Sequence, residues 1–402
     1  MHENGFEDLE SELKNLQLGD MYRSRRVVES SQGPRITLNN RELLNFCSND
    51  YLGLASDKRI SEAFVKGVHR WGSGAGASHL VCGHTSAHEE LEEALADHTG
   101  RPRALLYSSG YAANVGVINA LLTKGDYVYE DRLNHASLLD GGWISRSQFE
   151  WYPHGDVNQL KQALSTIQHN TSRKLIVTDG TFSMDGDLAP IEDLINTAKT
   201  TGAWLMVDDA HGIGVHGSNG CGLVDPSIYT TDEVQILVGP LGKALGTSGA
   251  FVAGAEPLIE TLIQKSRNYI FTTAMPSALA EATLTSLQIA QKENWRRMKL
   301  ETLIKTFRQG ATELGLQLLP SSSPIQPIVV GSPEVALAMS ASLESSGCLC
   351  TAIRPPTVPE GTSRLRITLM ATHTESDVAR LLDALELAQS DKMLLSIDGT
   401  DH

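Results

Sequence analysis

The sequence predicts an α/β fold in which a large domain is built on a mostly parallel sheet flanked by helices, with a smaller α+β domain beside it. Short apolar runs such as KLIVTD, AWLMVDD and QILVG alternate with helical patterns, which is typical of strands buried on both faces of a doubly wound sheet. A chain of 402 residues also exceeds what one hydrophobic core usually supports. After about Gln291 the pattern changes to long charged helices and separated strands, which indicates a second domain.

The elements can be assigned in chain order. Apolar residues recur at helical spacing from Phe6 to Leu16, so this segment predicts an amphipathic N-terminal helix. In SAHEELEEALADHTG, Ser86 is the predicted N-cap with Glu89 three residues on, and Gly100 ends the helix. The later elements are, in order, strand ALLYSS, helix GYAANVGVINALLTKG, strand KLIVTD, helix APIEDLINTAKTTG, strands AWLMVDD, QILVG, GAFVAG and IQPIVV, a helix near 332–346, strand RLRITL and a helix near 375–389.

These elements predict four segments. Residues 1–50 form an N-terminal helix and a small-domain segment, 51–290 the large domain, 291–389 the C-terminal α+β domain, and 390–402 a frayed tail.

Composition narrows the class of protein. A net charge of −15 argues against a nucleic-acid or anionic-membrane surface. The five cysteines are scattered without the paired spacing of a zinc site, which is typical of reduced thiols. No apolar run approaches the ~18 residues that a membrane span needs, and the acidic N-terminus does not resemble a signal peptide. We therefore expect a cytoplasmic protein.

One lysine, Lys243, lies among four glycines and a proline in GPLGKALGTSG, directly after the buried strand QILV. Glycines let a second molecule approach the backbone closely, and a lysine in apolar surroundings has a lowered pKa and a nucleophilic amine. These features suggest a Schiff base. On this stretch alone, a surface lysine covering a glycine-rich turn remains the favoured interpretation.

Other reactive side chains also follow predicted strands. In an open α/β sheet, ligands bind beyond the carboxyl ends of the strands, so these side chains are candidates for one shared crevice. They are Asp208, Asp209 and His211 after AWLMV, Asp179 and Ser183 after LIVT, and Ser109, Gly110 and Tyr111 after ALLYS. Any one of them alone is equally compatible with a helix cap or a loop residue.

Together these residues meet the requirements of pyridoxal phosphate. The cofactor needs an amine for its aldehyde, a carboxylate for its ring nitrogen, a flat ring for stacking and donors for its phosphate. Lys243, Asp208 and His135 supply the first three. The helix N-terminus at Gly110 supplies the phosphate donors.

Competing motifs are weaker. GSGAGASH lacks the G-x-G-x-x-G spacing of a dinucleotide loop and follows a helical pattern. His84 and His88 can share a helix face, but the sequence offers no third ligand, so we predict no metal. DDAH has no accompanying G-x-S-x-G motif, which disfavours hydrolysis.

Several blocks in order, from about residue 20 to about residue 388, resemble the α-oxoamine synthases, which are pyridoxal-phosphate enzymes of fold type I. The blocks most closely match the 8-amino-7-oxononanoate synthases of biotin biosynthesis. They are SNDYLGL, GSGAGASHLVCG, HASLL, FSMDGDLAP, VDDAHGIGVHG, LGKALG and IRPPTVPEGTSRLRITL. The last block favours this subfamily, because the lysine and aspartate motifs are shared with 2-amino-3-ketobutyrate ligase, aminolevulinate synthase and serine palmitoyltransferase.

The resemblance implies a role for each matched residue. Lys243 would hold the cofactor aldehyde, Asp208 the ring nitrogen, and His135 would stack on the ring. The further implied contacts are His211 and Ser183 at the ring hydroxyl, Gly110 and Tyr111 at the phosphate, Thr272 or Thr273 from the partner of a homodimer with shared sites, and Arg23, Asn49, Arg354 and Thr357 at the substrates. Arg354 would pair with the amino-acid carboxylate, a bidentate task suited to guanidinium.

The implied reaction joins L-alanine to a pimeloyl thioester, carried by coenzyme A or a carrier protein, with loss of carbon dioxide through a quinonoid. Three alternatives stay open. The first is another α-oxoamine synthase, because one methyl group gives only ~1–3 kcal/mol of discrimination between alanine and glycine. The others are a pyridoxal-phosphate protein that has lost catalysis and a nucleotide-binding oxidoreductase.

Pro240 departs from the family pattern. Three residues before the cofactor lysine, family members usually carry a threonine whose hydroxyl donates to the phosphate. Proline has neither a hydroxyl nor a backbone N–H. One phosphate donor is therefore expected to be missing, unless the proline only stiffens the turn.

Overall fold

The computed structural model describes residues 6–19, 21–167 and 172–398. The chain divides into two compact units. The larger comprises Asn49–Ser183 and Asp187–Lys299, and the smaller takes in the described residues up to Ser48, Met184–Gly186 and those from Leu300 onward. The units divide after Ser48 and after Lys299, where the sequence pattern predicted 50 and 290, and that pattern gave no sign that Met184–Gly186 belong to the smaller unit.

The strands and helices cover most of the described chain. The strands are β1 Arg35–Leu38, β2 Arg41–Asn45, β3 Arg103–Tyr107, β4 Tyr127–Asp131, β5 Gln148–Tyr152, β6 Lys174–Asp179, β7 Trp204–Asp208, β8 Ile236–Pro240, β9 Ala250–Gly254, β10 Ile325–Gly331, β11 Cys348–Leu349, β12 Thr351–Ile353 and β13 Ser363–Thr368. The helices are α1 Glu7–Leu18, α2 Lys58–Trp71, α3 Ser86–Thr99, α4 Gly110–Leu121, α5 Ala136–Ile144, α6 Val157–Ser165, α7 Ile191–Thr201, α8 Glu256–Lys265, α9 Arg267–Ile270, α10 Ser277–Lys292, α11 Trp295–Glu313, α12 Pro333–Ser345 and α13 Glu375–Asp398.

The larger unit is built on a seven-stranded sheet of order β3-β9-β8-β7-β6-β4-β5. The neighbours from β8 through β7, β6 and β4 to β5 pair in parallel, while β9 runs antiparallel to both β3 and β8. This arrangement confirms the predicted mostly parallel sheet. It also contains β4 and β5, which were not predicted because their sequences, YVYED and QFEWY, include charged or exposed residues and form no continuous apolar run.

Successive residues of the strands are buried on opposite faces of this sheet. Leu175 and Val177 of β6 pack in one apolar cluster with Val117 of α4. Ile176, between them, packs in a second cluster with Leu194 of α7. The sheet therefore has helices on both faces, as the uninterrupted apolar runs predicted.

The connection between β8 and β9 consists only of residues 241–249. Parallel neighbours need a crossover of about a dozen residues or more, so this short link imposes an antiparallel hairpin. The hairpin places Lys243 just beyond the carboxyl end of β8.

The cap of α3 differs from the prediction. Thr85, not Ser86, is the N-cap, and its backbone N–H donates to Nδ1 of His88 at 3.0 Å, so histidine takes the place expected for Glu89. Gly100 ends the helix with a left-handed φ of 62°, as predicted.

The smaller unit contains two three-stranded sheets, β1-β2-β11 and β10-β13-β12. The final helix α13 continues to Asp398, so the predicted frayed tail at 390–402 is wrong as far as Asp398, and the rest of it lies outside the described residues. The reason is local: no glycine or proline interrupts the sequence between Glu375 and Gly399. Helix α1 is present, and its N-cap Phe6 and its apolar residues Leu9 and Leu13 are exposed.

Candidate active site

A cavity of about 290 Å³ opens where β6, β7 and β8 end, at the edge of the sheet predicted to carry the ligand. Its lining residues are Ser108, Ser109, Gly110, Tyr111, Asn114, His135, Ser137, Asp179, Ser183, Asp208, Ala210, His211, Pro240, Gly242, Lys243, Ser248 and Gly249. The structure thus brings together Lys243, Asp208, His135, His211, Ser183, Gly110 and Tyr111. A larger cavity of about 620 Å³ beside His154 and Asp193 contains none of the predicted site residues.

Asp208 is the buried carboxylate of the pocket. Its Oδ2 accepts a hydrogen bond of 2.6 Å from Nδ2 of Asn114, while its buried Oδ1 has no hydrogen-bond partner. Burial raises the pKa of Asp208, and the charge of Lys243 and the Asn114 hydrogen bond oppose that shift. Oδ1 of Asp209 also lacks a partner, but only Asp208 lines the cavity, where a ligand can supply the donor, so the site fits a protonated ring nitrogen.

Lys243 lies on a closely tied loop. The backbone N–H groups of Gly246 and Thr247 donate to the carbonyls of Lys243 and Leu241, at 2.8 and 3.0 Å. Ser286 of α10 donates to the carbonyl of Leu245 at 2.5 Å. These bonds hold the loop from both sides, so the lysine is presented by a rigid turn and not by a mobile surface segment.

His135 forms the N-cap of α5. Its Nδ1 accepts from the backbone N–H of Ser137 at 3.3 Å, and its own backbone N–H donates to Oδ2 of Asp179 at 2.8 Å. Burial lowers the pKa of His135, with the charge of Asp208 opposing and that of Lys243 adding to the shift. A neutral, oriented imidazole fits the stacking role.

The N-terminus of α4 lies at the cavity wall. The Ser109 hydroxyl accepts from the backbone N–H of Ala112 at 3.1 Å, and the helix begins at Gly110. A Cβ on Gly110 would lie 3.2 Å from Cγ of Pro240, so glycine lets this end of β8 approach the helix closely. The exposed N–H groups of such a terminus favour a phosphate. The hydroxyl of Tyr111 points to a different partner, because it donates to Asp140.

His211 is in contact with a tyrosine that does not line the cavity. Its Nδ1 lies 2.6 Å from the hydroxyl of Tyr51, and the same hydroxyl donates to Oδ1 of Asn49 at 3.0 Å. Asn49 was predicted to bind substrate. It is not among the cavity-lining residues, and its amide oxygen is engaged by Tyr51.

The neighbouring Asp209 has a different task from Asp208. Its side chain is fully buried, and its Oδ2 accepts from the backbone N–H of Leu223 at 2.6 Å. Burial raises the pKa of Asp209 to about 7. Because successive strand residues point to opposite faces, only the first of the two aspartates reaches the cavity.

His84 and His88 do not share a helix face as predicted, because α3 begins at Ser86 and His84 precedes it. Nε2 of His88 lies 2.8 Å from the carbonyl of Met275, whereas Nε2 of His84 lies 3.0 Å from Glu89. Ligand-type atoms of His84, Glu89 and Glu92 lie within 4.8 Å of one another, so a third candidate ligand exists that the sequence did not reveal. The prediction that the protein needs no metal stays a prediction.

Sequence reasoning missed Asn114 and Ser137. Asn114 donates to both Asp208 and Ser137, the latter at 2.9 Å, and so orients the central carboxylate. A signal was present: Asn114 lies four residues after Gly110 and therefore on the same face of α4. Asp179 was noted at a strand end but given no role, and it anchors the backbone of His135.

The remaining predicted contacts are not in this cavity. Thr272 and Thr273 belong to the larger unit but do not line it, and Thr273 is exposed. Arg23, Arg354 and Thr357 belong to the smaller unit. Their proposed roles therefore rest on the resemblance of the sequence.

Comparison with known proteins gives one consistent result. Residues 41–385 match the family model described as aminotransferase class I and II. The chain is 56% identical over 374 residues to the 8-amino-7-oxononanoate synthase of Nitrosococcus oceani, covering 93% of this chain and 99% of that protein.

Two solved structures show the same relationship. A serine palmitoyltransferase from S. paucimobilis, solved with a bound PLP–myriocin aldimine, is similar with a TM-score of 0.90 and 28% identity, covering 96% of this chain and 98% of that one. An 8-amino-7-oxononanoate synthase from Francisella tularensis has a TM-score of 0.76 and 29% identity, covering 87% and 99% respectively. The structural similarity to the first of these, and the sequence similarity to the Nitrosococcus protein, each extend over nearly the whole chain.

Proposed function

The chain belongs to the aminotransferase class I and II family and, within it, to the 8-amino-7-oxononanoate synthases, and we propose that it joins L-alanine to a pimeloyl thioester with loss of carbon dioxide. The observation that carries the chemistry is the cavity that contains Lys243, His135 and the unpaired Oδ1 of Asp208. The reaction is a step of biotin biosynthesis, and the family's cofactor is pyridoxal phosphate. When bound, this cofactor supplies an aldehyde and an electron sink.

Each residue of the cavity has a task. The amine of Lys243 would hold the cofactor aldehyde and, when free, would act as the general base for the Cα proton of alanine. Oδ1 of Asp208 would keep the ring nitrogen protonated, and Asn114 orients that carboxylate through Oδ2. The imidazole of His135 packs on the ring face. The N-terminus of α4, at Gly110 and Tyr111, binds the phosphate.

The substrate contacts follow from the family resemblance. Arg354 pairs with the alanine carboxylate, a contact that guanidinium makes bidentately. Thr357 and Arg23 line the path of the acyl substrate, and Asn49 contributes to substrate binding. Ser183 and His211 contact the ring hydroxyl.

The acyl carrier is coenzyme A or a carrier protein. We place the reaction in the cytoplasm, which agrees with free thiols at Cys47, Cys82, Cys221, Cys348 and Cys350. In the described part of the chain, no helix is both long and apolar enough to cross a bilayer.

A spectral titration tests this function directly. L-Alanine, glycine and L-serine are added in turn to the holoenzyme, with and without pimeloyl-coenzyme A, and carbon dioxide and free thiol are measured. We expect both products only with alanine and thioester together. Turnover with glycine but not alanine would instead indicate a 2-amino-3-ketobutyrate ligase, and binding without turnover a protein that has lost catalysis.

We further propose a homodimer with shared active sites, in which Thr272 or Thr273 of each subunit reaches the phosphate site of the other. An apolar surface patch next to these threonines supports this. Leu80, Val81 and Phe271 are 51%, 77% and 70% exposed in the single chain. Ser78 pairs with Thr273 in an isolated β-bridge, which joins the two parts of the patch. Burying apolar groups of this size stabilises an interface by about 25 cal/mol per Å² of apolar surface.

Dilution tests the shared site. If the threonines complete the partner's phosphate site, dilution to monomers should release pyridoxal phosphate. Light scattering measures the oligomeric state, and absorbance measures the bound cofactor in the same samples. Val81→Glu should shift this dissociation to higher protein concentration, because a charge would be buried in the interface. The control Ile228→Glu alters a similarly exposed residue outside the patch, 67% against 77% for Val81. A monomer that keeps its cofactor would contradict the proposal.

Because of Pro240, we expect this protein to bind the cofactor phosphate more weakly than its relatives do. Pro240 lines the cavity beside Gly110, where the family usually has a threonine. Pro240→Thr should restore one donor to a charged group, worth ~1.5–3 kcal/mol, and tighten cofactor binding roughly 10- to 100-fold. Equilibrium dialysis measures this, and alanine affinity should change little.

Pro240→Ala is the matched control, because it restores the backbone N–H without a hydroxyl. Tighter binding in Pro240→Thr alone assigns the effect to the hydroxyl. Unchanged or weaker binding in both variants would mean that Ser109, Gly110 and the partner's threonines already satisfy the phosphate.

A further inference from the structure

The hydroxyl of Tyr51 contacts His211, a residue that lines the cavity. The side chain of Tyr51 has no exposed surface, and it is not among the lining residues. Its hydroxyl lies 2.6 Å from Nδ1 of His211 and 3.0 Å from Oδ1 of Asn49. A buried hydroxyl placed between an amide oxygen and an imidazole nitrogen has few ways to distribute its single proton.

The proton count assigns each hydrogen bond. The amide oxygen of Asn49 carries no hydrogen, so Tyr51 must donate to it. A phenol has one hydrogen, and the Tyr51 oxygen is therefore the acceptor toward His211. Nδ1 of His211 must then carry a proton. This nitrogen stays protonated whether the imidazole is neutral or charged.

The segment around Tyr51 is rigid enough to maintain this arrangement. The carboxylate of Asp50 accepts from the backbone N–H groups of Leu54 and Ala55, at 2.8 and 3.1 Å. The carbonyl of Leu52 accepts from the guanidinium of Arg296 at 2.7 Å. The turn therefore cannot move away from His211 without breaking several buried hydrogen bonds.

The same turn abuts the loop that carries Lys243. A Cβ on Gly246 would lie 2.4 Å from the backbone nitrogen of Ala55, so the two backbones are in close contact. Gly246 also adopts a φ of 64°, in the left-handed region that favours glycine. One short segment thus supports both His211 and the lysine loop.

We propose that Tyr51 is a positioning residue that confines proton exchange of His211 to Nε2. Nε2 is the ring nitrogen that does not contact Tyr51, and it belongs to a side chain that lines the cavity. It accepts a hydrogen bond when the imidazole is neutral and donates one when it is charged, so the same histidine can serve a ring hydroxyl in either protonation state. The use of this site for pyridoxal phosphate rests on the proposed function, but the protonation of Nδ1 does not.

Nitrogen NMR on the full-length protein labelled with ¹⁵N-histidine tests the assignment, with and without pyridoxal phosphate. His211→Gln identifies the signals. In the wild-type protein we expect Nδ1 to be protonated and Nε2 to be the nitrogen that titrates. Tyr51→Phe removes the acceptor and should shift the neutral ring toward the Nε2-protonated form. A wild-type Nδ1 without a proton, or identical spectra in both proteins, would overturn the proposal.

Two substitutions at Asn49 separate positioning from packing. Asn49→Asp still only accepts, so Tyr51 keeps donating to it and Nδ1 of His211 stays protonated. Asn49→Leu removes the acceptor, so Tyr51 turns its proton toward His211 and the tautomer reverses. A merely structural role would not give opposite tautomers in these two variants. If Asn49→Asp reversed the tautomer and Asn49→Leu left it unchanged, the amide would be the donor and the proposal would fail.

Cofactor binding supplies the functional readout. Tyr51→Phe should weaken pyridoxal phosphate binding about 2- to 10-fold, the loss expected when one neutral hydrogen bond is removed. The control Tyr152→Phe removes the hydroxyl of another buried tyrosine that does not line the cavity, and its cofactor affinity should stay unchanged. Equal weakening in both variants would contradict a specific role for Tyr51. Failure of the condensation assay with an intact tautomer shift would instead count against the proposed function alone.

Discussion

Lys243→Ala is expected to abolish turnover. The variant loses both the amine that binds the cofactor aldehyde and the base that takes the Cα proton, and general base catalysis alone typically contributes 10²- to 10⁴-fold. The loop itself should survive, because the backbone hydrogen bonds that Gly246 and Thr247 donate to the carbonyls of Lys243 and Leu241 remain possible with alanine at position 243.

The measurement is borohydride reduction of the holoenzyme followed by peptide mass spectrometry. In the wild-type protein the reduced cofactor should be attached to the peptide that contains Lys243. Lys265→Ala, at the end of α8 and outside the cavity, is the control and should retain the adduct and the activity. An adduct on another lysine, or normal turnover in Lys243→Ala, would refute the assignment.

Asp208→Asn should lower turnover about 10²- to 10³-fold, the range found when a preorganised electrostatic group is removed from an active site. An amide cannot hold the ring nitrogen in its protonated form, so loss of the Cα proton becomes harder. Cofactor affinity should fall much less, because the phosphate, the lysine and His135 still bind it.

Exchange of the alanine Cα proton with deuterated solvent, followed by proton NMR without thioester, isolates this step. Asp209→Asn is the matched control, since Asp209 is an adjacent buried carboxylate that binds the backbone of Leu223 and does not line the cavity. Asp209→Asn should change the free energy of unfolding, and it should have a smaller effect on the rate of Cα proton exchange. Wild-type exchange rates in Asp208→Asn would remove Asp208 from its proposed role.

Most of the central sheet could be predicted because its strands are buried on both faces. Burial requires continuous apolar runs, and the run KLIVTD coincides with β6 at residues 174–179. Strands β4 and β5 lie toward one edge of the sheet, where exposure permits residues such as Glu150 and Trp151, and no apolar run marked them. The antiparallel β9 was predicted as a strand, but its direction depends on pairing with β3 and β8.

The candidate site was predictable for a related reason. Parallel strands end at one edge of a sheet, so Asp208, Ser183 and Lys243 were expected together although they are far apart in sequence. Family resemblance then distinguished Lys243 from a surface lysine. The spacing from Gly110 placed Asn114 on the cavity face of α4, but it did not identify Asp208 as its partner, and no pattern indicated that Tyr51 binds His211. Both contacts join segments whose approach depends on how helices and turns pack.

By itself, the sequence determined the alternation of strands and helices, the reactive residues at the strand ends and the family to which they belong. These properties are local, since burial, periodicity and a short motif are each written within a few residues. Only the tertiary structure decided which oxygen of Asp208 remains unpaired, which histidine closes the cap of α3 and which residue holds Nδ1 of His211. Hydrogen bonds act over about 3 Å and depend on direction, so these contacts become defined only when distant segments are packed against each other.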